Sequence, residues 1–260
     1  MLVDSHCHLD FDDLYSQLPY VVARAGEAGI GIMLTIATHM EGYPKVLSIA
    51  EQHENIFCTV GIHPHSAELD ADVTTEQLVE LAQHPKVVGI GETGLDYFYD
   101  NSPRDTQRTL FRRHIAAARK TGLPLIVHTR DADDDTLEIL QDEYEKGAFP
   151  GLIHCFSASA ALAGACVAMD MSISVSGIAT FKTAEPVREA LRAVPLENLL
   201  VETDSPFLAP IPHRGKTNEP SFVVHTAEKL ADIKGVSASE IEETTTDNFF
   251  RLFSKAQRPG

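Results

Sequence analysis

The chain has 260 residues, with 21 basic and 38 acidic side chains and a formal net charge of −17. That balance argues against a broad nucleic-acid-binding surface, which needs net positive charge, and does not exclude a small anionic substrate drawn to a local cationic site. The chain is 43% hydrophobic, so it can bury a core, yet no run approaches the ~18 apolar residues of a membrane helix.

In chain order, apolar runs predict buried strands over 2–7, 30–36, 56–62, 87–91, 125–128, 151–154, 171–176 and 199–202. Helical periodicity fills the intervals at 17–28, 43–54, 74–83, 104–121, 131–145, 158–169, 183–193, 220–233 and 237–253. Eight strands alternating with helices predict an α/β fold, a single (β/α)8 TIM-like barrel spanning 1–260. The last ten residues, 251–260, are expected to fray. The first residues lack the basic and long apolar regions of a secretory leader. Four cysteines without a Cys-x-x-Cys pair do not make a disulfide scaffold. A reducing, cytoplasmic setting is the expectation.

A closed barrel places its chemistry at the C-terminal ends of the strands. The first strand ends His6-Cys7-His8. Alternation turns both imidazoles to one face and Cys7 to the helix layer. The third strand leads to His63, the fourth to Glu92, the fifth to His128 and Arg130, the sixth to His154 and the eighth to Glu202 and Asp204. Imidazoles and carboxylates together suit divalent transition-type ions. The set exceeds the four ligands of a closed structural zinc site and is large enough for two metals sharing a carboxylate. Gly89–Gly94 has the spacing of a dinucleotide-binding loop, but Leu95–Asp100 does not read as a helix start. Those glycines are expected to permit close packing where Glu92 is presented.

Asp4–Asp10, Gly61–Pro64, Gly91–Tyr97, His128–Ala132, His154–Phe156, Glu202–Pro206, Pro212–Pro220 and Thr246–Asn248 together resemble the motifs of the TatD family of metal-dependent deoxyribonucleases. This family belongs to the amidohydrolase-type barrels. The resemblance spans most of the chain and implies a distorted barrel with a centre of two divalent cations, Mg, Mn or Zn. It implies that His6, His8 and Asp204 hold one metal, that His128 and His154 hold the second, and that Glu92 bridges them.

The resulting expectation is two-metal hydrolysis of DNA phosphodiester bonds, working inward from short or single-stranded ends. Asp204 is the expected base. Glu202 is expected either to orient a ligand histidine or polarise the water, or to be a satisfied buried carboxylate. His63 is a candidate general acid or phosphate ligand, or a structural histidine before Pro64. Arg130 is a candidate phosphate contact, or a partner of Asp131. In the loop 206–217, His213, Arg214 and Lys216 stand without an acidic neighbour and form the best candidate for holding a phosphate backbone. Tyr97–Tyr99, just after Glu92, offers rings on which a base could stack, but such a cluster reads rather as loop packing. The alternatives are hydrolysis of a small-molecule or aminoacyl-tRNA ester or amide on the same centre, and a non-catalytic metal-bound interaction protein. No membrane or obligate protein partner is expected.

Overall fold

A computed structural model describes residues 1–258. Eight parallel strands follow chain order around one sheet: β1 (Leu2–Cys7), β2 (Ile30–Thr35), β3 (Ile56–Val60), β4 (Val87–Asp96), β5 (Leu125–Arg130), β6 (Gly151–Ile153), β7 (Ser172–Val175) and β8 (Leu199–Val201). The helices are α1 (Asp12–Tyr15), α2 (Leu18–Glu27), α3 (Tyr43–Gln52), α4 (Thr75–Leu81), α5 (Arg104–Thr121), α6 (Asp133–Glu145), α7 (Ala160–Ala168), α8 (Glu185–Ala193), α9 (Val223–Lys234) and α10 (Ala238–Leu252). This is the expected (β/α)8 barrel.

The ring closes between β1 and β8 through a few specific bonds. A parallel bridge pairs Cys7 with Ser205, Asp204 N donates to His6 O at 2.9 Å, and His8 N donates to Ser205 O at 2.8 Å. Beneath them the buried Asp4 carboxyl receives Thr203 N at 2.9 Å and pairs with Thr203 Oγ1 at 2.6 Å. Burial pushes the Asp4 carboxyl up to about 8, against the hydrogen bonds from Thr203. The closure therefore fixes Asp204 beside the first strand.

Two apolar layers sandwich the sheet. Outward residues such as Cys7, Val60, Val127 and Val201 pack on the helices. Inward residues Val3, Ile32, Leu34, Phe57, Val88, Ile126, Leu152 and Leu200 fill the barrel. Phe249 and Phe253 complete that interior layer. Helix α10 reaches it across the N-terminal ends of the strands: Thr246 Oγ1 donates to Met1 O, and Asn248 Nδ2 donates to Leu199 O at 2.8 Å. This corrects the expected frayed tail. Arg251 and Leu252 are helical, and Phe253 and Ala256 are buried because they plug the barrel floor. Residues 259–260 lie outside the described residues.

The fourth strand also departs from expectation. It continues through Glu92 to Asp96 where a stop at Gly91 was expected. Gly94 has φ +135°, and a Cβ there would meet His128 O at 2.0 Å. The glycines thus let β4 run close against β5, and they do not end the strand.

Candidate metal centre

Val3 and Ser5 point into the barrel, with Ser5 Oγ 3.1 Å from Ser174 Oγ. The β1–β2 register shifts between Asp4 and Cys7. That irregularity resets the alternation, so His6 and His8 both turn inward while Cys7 Sγ donates outward to Leu34 O at 3.4 Å. Asp204 has φ +56°, a left-handed conformation that aspartate tolerates. With its amide tied to His6 O, its carboxylate lies beside the same two rings.

Four donor atoms then face one point. His6 Nε2 lies 3.3 Å from Glu92 Oε2 and 3.7 Å from Asp204 Oδ1. His8 Nε2 lies 3.9 Å from Glu92 Oε2 and 3.3 Å from Asp204 Oδ1. Donors placed tetrahedrally at ~2.0–2.2 Å from a zinc-sized ion are separated by about 3.3–3.6 Å. Both ring nitrogens of His6 and Nδ1 of His8 are buried without a hydrogen-bond partner. Orphaned imidazole nitrogens among carboxylate oxygens fit a cation better than they fit one another.

The second oxygen of Glu92 serves a different pair. Its Oε1 lies 2.7 Å from His154 Nε2 and 3.1 Å from His128 Nδ1, and those two nitrogens are 3.4 Å apart. Burial opposes the Glu92 charge. The surrounding His154, His63 and His6, with the hydrogen bond from His128, nevertheless hold its carboxyl well below the usual range. Glu202 Oε1 stands 3.3 Å from His154 Nδ1. Burial opposes the His154 charge too, but Glu92 and Glu202 raise that ring well above the ordinary imidazole value. His6, His8, Glu92, His128, His154 and Asp204 are therefore gathered as the sequence implied, and either half of the cluster can hold a divalent ion.

His63 sits beside this set with a different role. Its Nδ1 accepts the His65 amide at 3.1 Å, so the neutral ring carries its proton on Nε2. That nitrogen lies 3.5 Å from Glu92 Oε1, and His63, Glu92 and His128 together bring three donor atoms close enough to hold an ion. Burial pushes the His63 imidazole well below its ordinary value, so the ring stays neutral. The preceding Ile62 amide is pinned by His114 Nε2 at 3.0 Å.

The centre opens into a cleft of about 720 Å³ lined by His8, His63, Glu92, His128, Asp204 and Arg130, among others. Among the described residues Arg130 makes no ion pair, so the expected pairing with Asp131 is absent. Its guanidinium lies over Phe98 and Tyr99, 4.1 and 4.8 Å from the ring centroids. Arg214 covers Phe181, a cleft residue, at 3.8 Å. His213, Arg214 and Lys216 are not themselves among the residues that line the cleft. His213 is stacked on Phe222 at 3.8 Å with Nε2 3.1 Å from His225 Nε2, and Lys216 is exposed to solvent.

Sequence reasoning missed Asp96 and His65. Asp96 is fully buried, with Oδ2 3.2 Å from His128 Nε2 and 2.8 Å from His65 Nε2. Burial alone would raise its carboxyl. Hydrogen bonds from His128, the Tyr99 amide and His65 instead hold it below the usual range. It stands against the outer nitrogen of His128 as Glu202 stands against that of His154. The signal was parity: Asp96 stands an even number of residues beyond Glu92 on one strand.

A family model described as TatD related DNase matches residues 3–254. The uncharacterized metal-dependent hydrolase YcfH of Escherichia coli K12 is 44% identical over 255 residues, covering 97% of this chain and 95% of that protein. The uncharacterized metal-dependent hydrolase YabD of Bacillus subtilis 168 is 40% identical over 256 residues, covering 97% and 99%. The crystal structure of YjjV, a TatD homologue from Escherichia coli K12, superposes with a TM-score of 0.90 at 31% identity, covering 97% of this chain and 98% of that one.

Proposed function

The chain belongs to the TatD-related DNase family of metal-dependent hydrolases, and from that premise we propose that it is a deoxyribonuclease acting on unpaired DNA ends with two divalent cations. The observation that carries this reading is the division of the Glu92 carboxylate, Oε2 toward His6 and His8 and Oε1 toward His128 and His154. One carboxylate between two histidine pairs is the donor pattern of a bridged two-cation site. Among the described residues no helix is long and apolar enough to cross a membrane.

His6, His8, Glu92, His128, His154 and Asp204 would hold divalent cations, which would supply polarisation of a non-bridging phosphate oxygen and a water made nucleophilic near neutral pH. The side chains of this protein supply the remainder. Asp204, the least buried of the carboxylates in the cluster, accepts the water proton. His63, protonated on Nε2, donates to the departing oxygen. Arg130 and Arg214 at the rim attract the flanking phosphates against an otherwise acidic surface. A 720 Å³ cleft is of small-ligand size and suits a few unpaired nucleotides.

The test supplies single-stranded oligonucleotides, an aryl phosphodiester, a carboxylic ester and an acylated tRNA in Mg²⁺, Mn²⁺ and Zn²⁺. Oligonucleotide shortening from an end is expected. Turnover of an ester or acylated tRNA with DNA untouched would replace this reading with that of an acyl hydrolase. Metal binding with no turnover of any of them would leave a non-catalytic protein.

A further inference from the structure

Two aromatic walls flank the centre, and their rings are not used by the chemistry above. On the Asp204 side, Phe207 is 49% exposed and lines the cleft. Its amide donates to Asp204 O at 2.9 Å, and its ring meets Phe11 edge-on at 5.7 Å and lies 6.3 Å from His8. On the Asp96 side, Tyr99 is 53% exposed and lines the same cleft. Its amide donates to Asp96 Oδ1 at 2.9 Å, and its ring meets His65 at 5.2 Å. Phe98 buttresses it edge-on at 4.9 Å, and the Arg130 guanidinium spans both rings.

Each wall is thus tied by a main-chain hydrogen bond to a carboxylate residue of the centre, one on either side of Glu92. A singly exposed aromatic needs no explanation. A matched pair at one active-site mouth keeps planar apolar faces in water at fixed places. Planar aromatic and guanidinium surfaces are what unpaired bases stack on.

We propose that the walls are two base-stacking subsites. The Phe207–Phe11 wall takes the base on one side of the scissile phosphate, and the Tyr99–Arg130 wall takes the base on the other. The proposal rests on the nuclease reading and deepens it: the substrate is an unpaired dinucleotide step. A paired base has both faces covered by its neighbours in the duplex and cannot enter either wall. Stacking also suits this chain's charge of −17, because it attracts nucleic acid without the cationic surface that the protein lacks.

The experiment measures kcat/KM on tetranucleotides carrying an abasic site on the 5′ or the 3′ side of the cleaved bond. Removing one base–aromatic stack costs about 5- to 150-fold, so each abasic site is expected to slow the wild-type protein about tenfold or more. Phe207→Ala is expected to become insensitive to one of the two abasic sites and Tyr99→Ala to the other, with Phe207→Trp restoring the penalty. Both positions are exposed, and thermal midpoints report on folding. If both variants keep both penalties, the subsites are refuted and the nuclease reading stands. A binding arm uses 2-aminopurine oligonucleotides in EDTA, where stacking quenches fluorescence. Quenching that the variants lose, with no cleavage in any metal, keeps the subsites and overturns the nuclease reading. Neither quenching nor cleavage overturns both.

Discussion

Glu202 Oε1 lies 3.3 Å from Nδ1 of His154, while the other nitrogen of that ring lies 2.7 Å from Glu92. The ring is clamped between two carboxylates, and Glu202 with His154 and His6 also forms a group of donors close enough to hold an ion. Glu202→Gln keeps the volume and removes the charge. It is expected to lower divalent-metal affinity by about 10- to 100-fold, with activity recovering at saturating metal. Metal titration followed by calorimetry checks this. Unchanged affinity would leave Glu202 a buried carboxylate with no part in metal binding.

The two basic residues of the loop 206–217 should separate. Arg214 lies over Phe181, a residue that lines the cleft, whereas Lys216 is exposed and makes no such contact. Arg214→Ala is expected to raise KM for an oligonucleotide several-fold and to flatten its salt dependence. Lys216→Ala is expected to leave both within about twofold, since an isolated exposed charge is screened at physiological salt. Equal effects would place the phosphate path elsewhere on the rim.

His114 predicts a pH effect on stability. Its ring is fully buried, donates from Nδ1 to Leu110 O at 2.7 Å and accepts the Ile62 amide at Nε2. Burial lowers its pKa from 6.5 to about 4, against the Leu110 hydrogen bond. The unfolded chain therefore binds this proton first as pH falls. The stabilisation is whole above the unfolded value and is lost as pH drops toward 4. Between pH 7 and pH 5 this one group is expected to remove about 2 kcal/mol. Urea denaturation at the two pH values should show a shallower loss for His114→Gln than for the wild type. Equal slopes would contradict the neutral buried ring.

Phe253 is fully buried in the barrel interior with Phe249. Phe253→Ala is expected to destabilise the fold by about 3–5 kcal/mol while leaving kcat unchanged well below the melting transition. The floor and the metal centre lie at opposite ends of the strands. A loss of kcat matching the loss of stability would show that the two ends are coupled.

The ligand set was legible because each member lies in the C-terminal half of a strand or just beyond it, and strand parity decides which side chains share a face. His6 and His8 read correctly even though the β1 register shift that turns both inward leaves no mark in the sequence. Asp96 was hidden because Gly91 and Gly94 look like turn residues, whereas here they admit β5 at close range and carry β4 onward. His213 looked available as a cation among acid-free neighbours. Its stacking on Phe222 depends on how the loop returns to the start of α9, which local sequence does not encode. The tail misled for a similar reason: the place for Phe253 exists only once eight strands have formed a ring around it.

The central claim is that Glu92 divides two cations between His6, His8 and Asp204 on one side and His128 and His154 on the other. Anomalous diffraction from Mn²⁺-soaked crystals of the wild type and of Glu92→Gln tests it directly. Two peaks flanking Glu92, with at least one lost in the variant, are predicted. Peaks away from these side chains, or a fully active enzyme binding no divalent ion there, would contradict it.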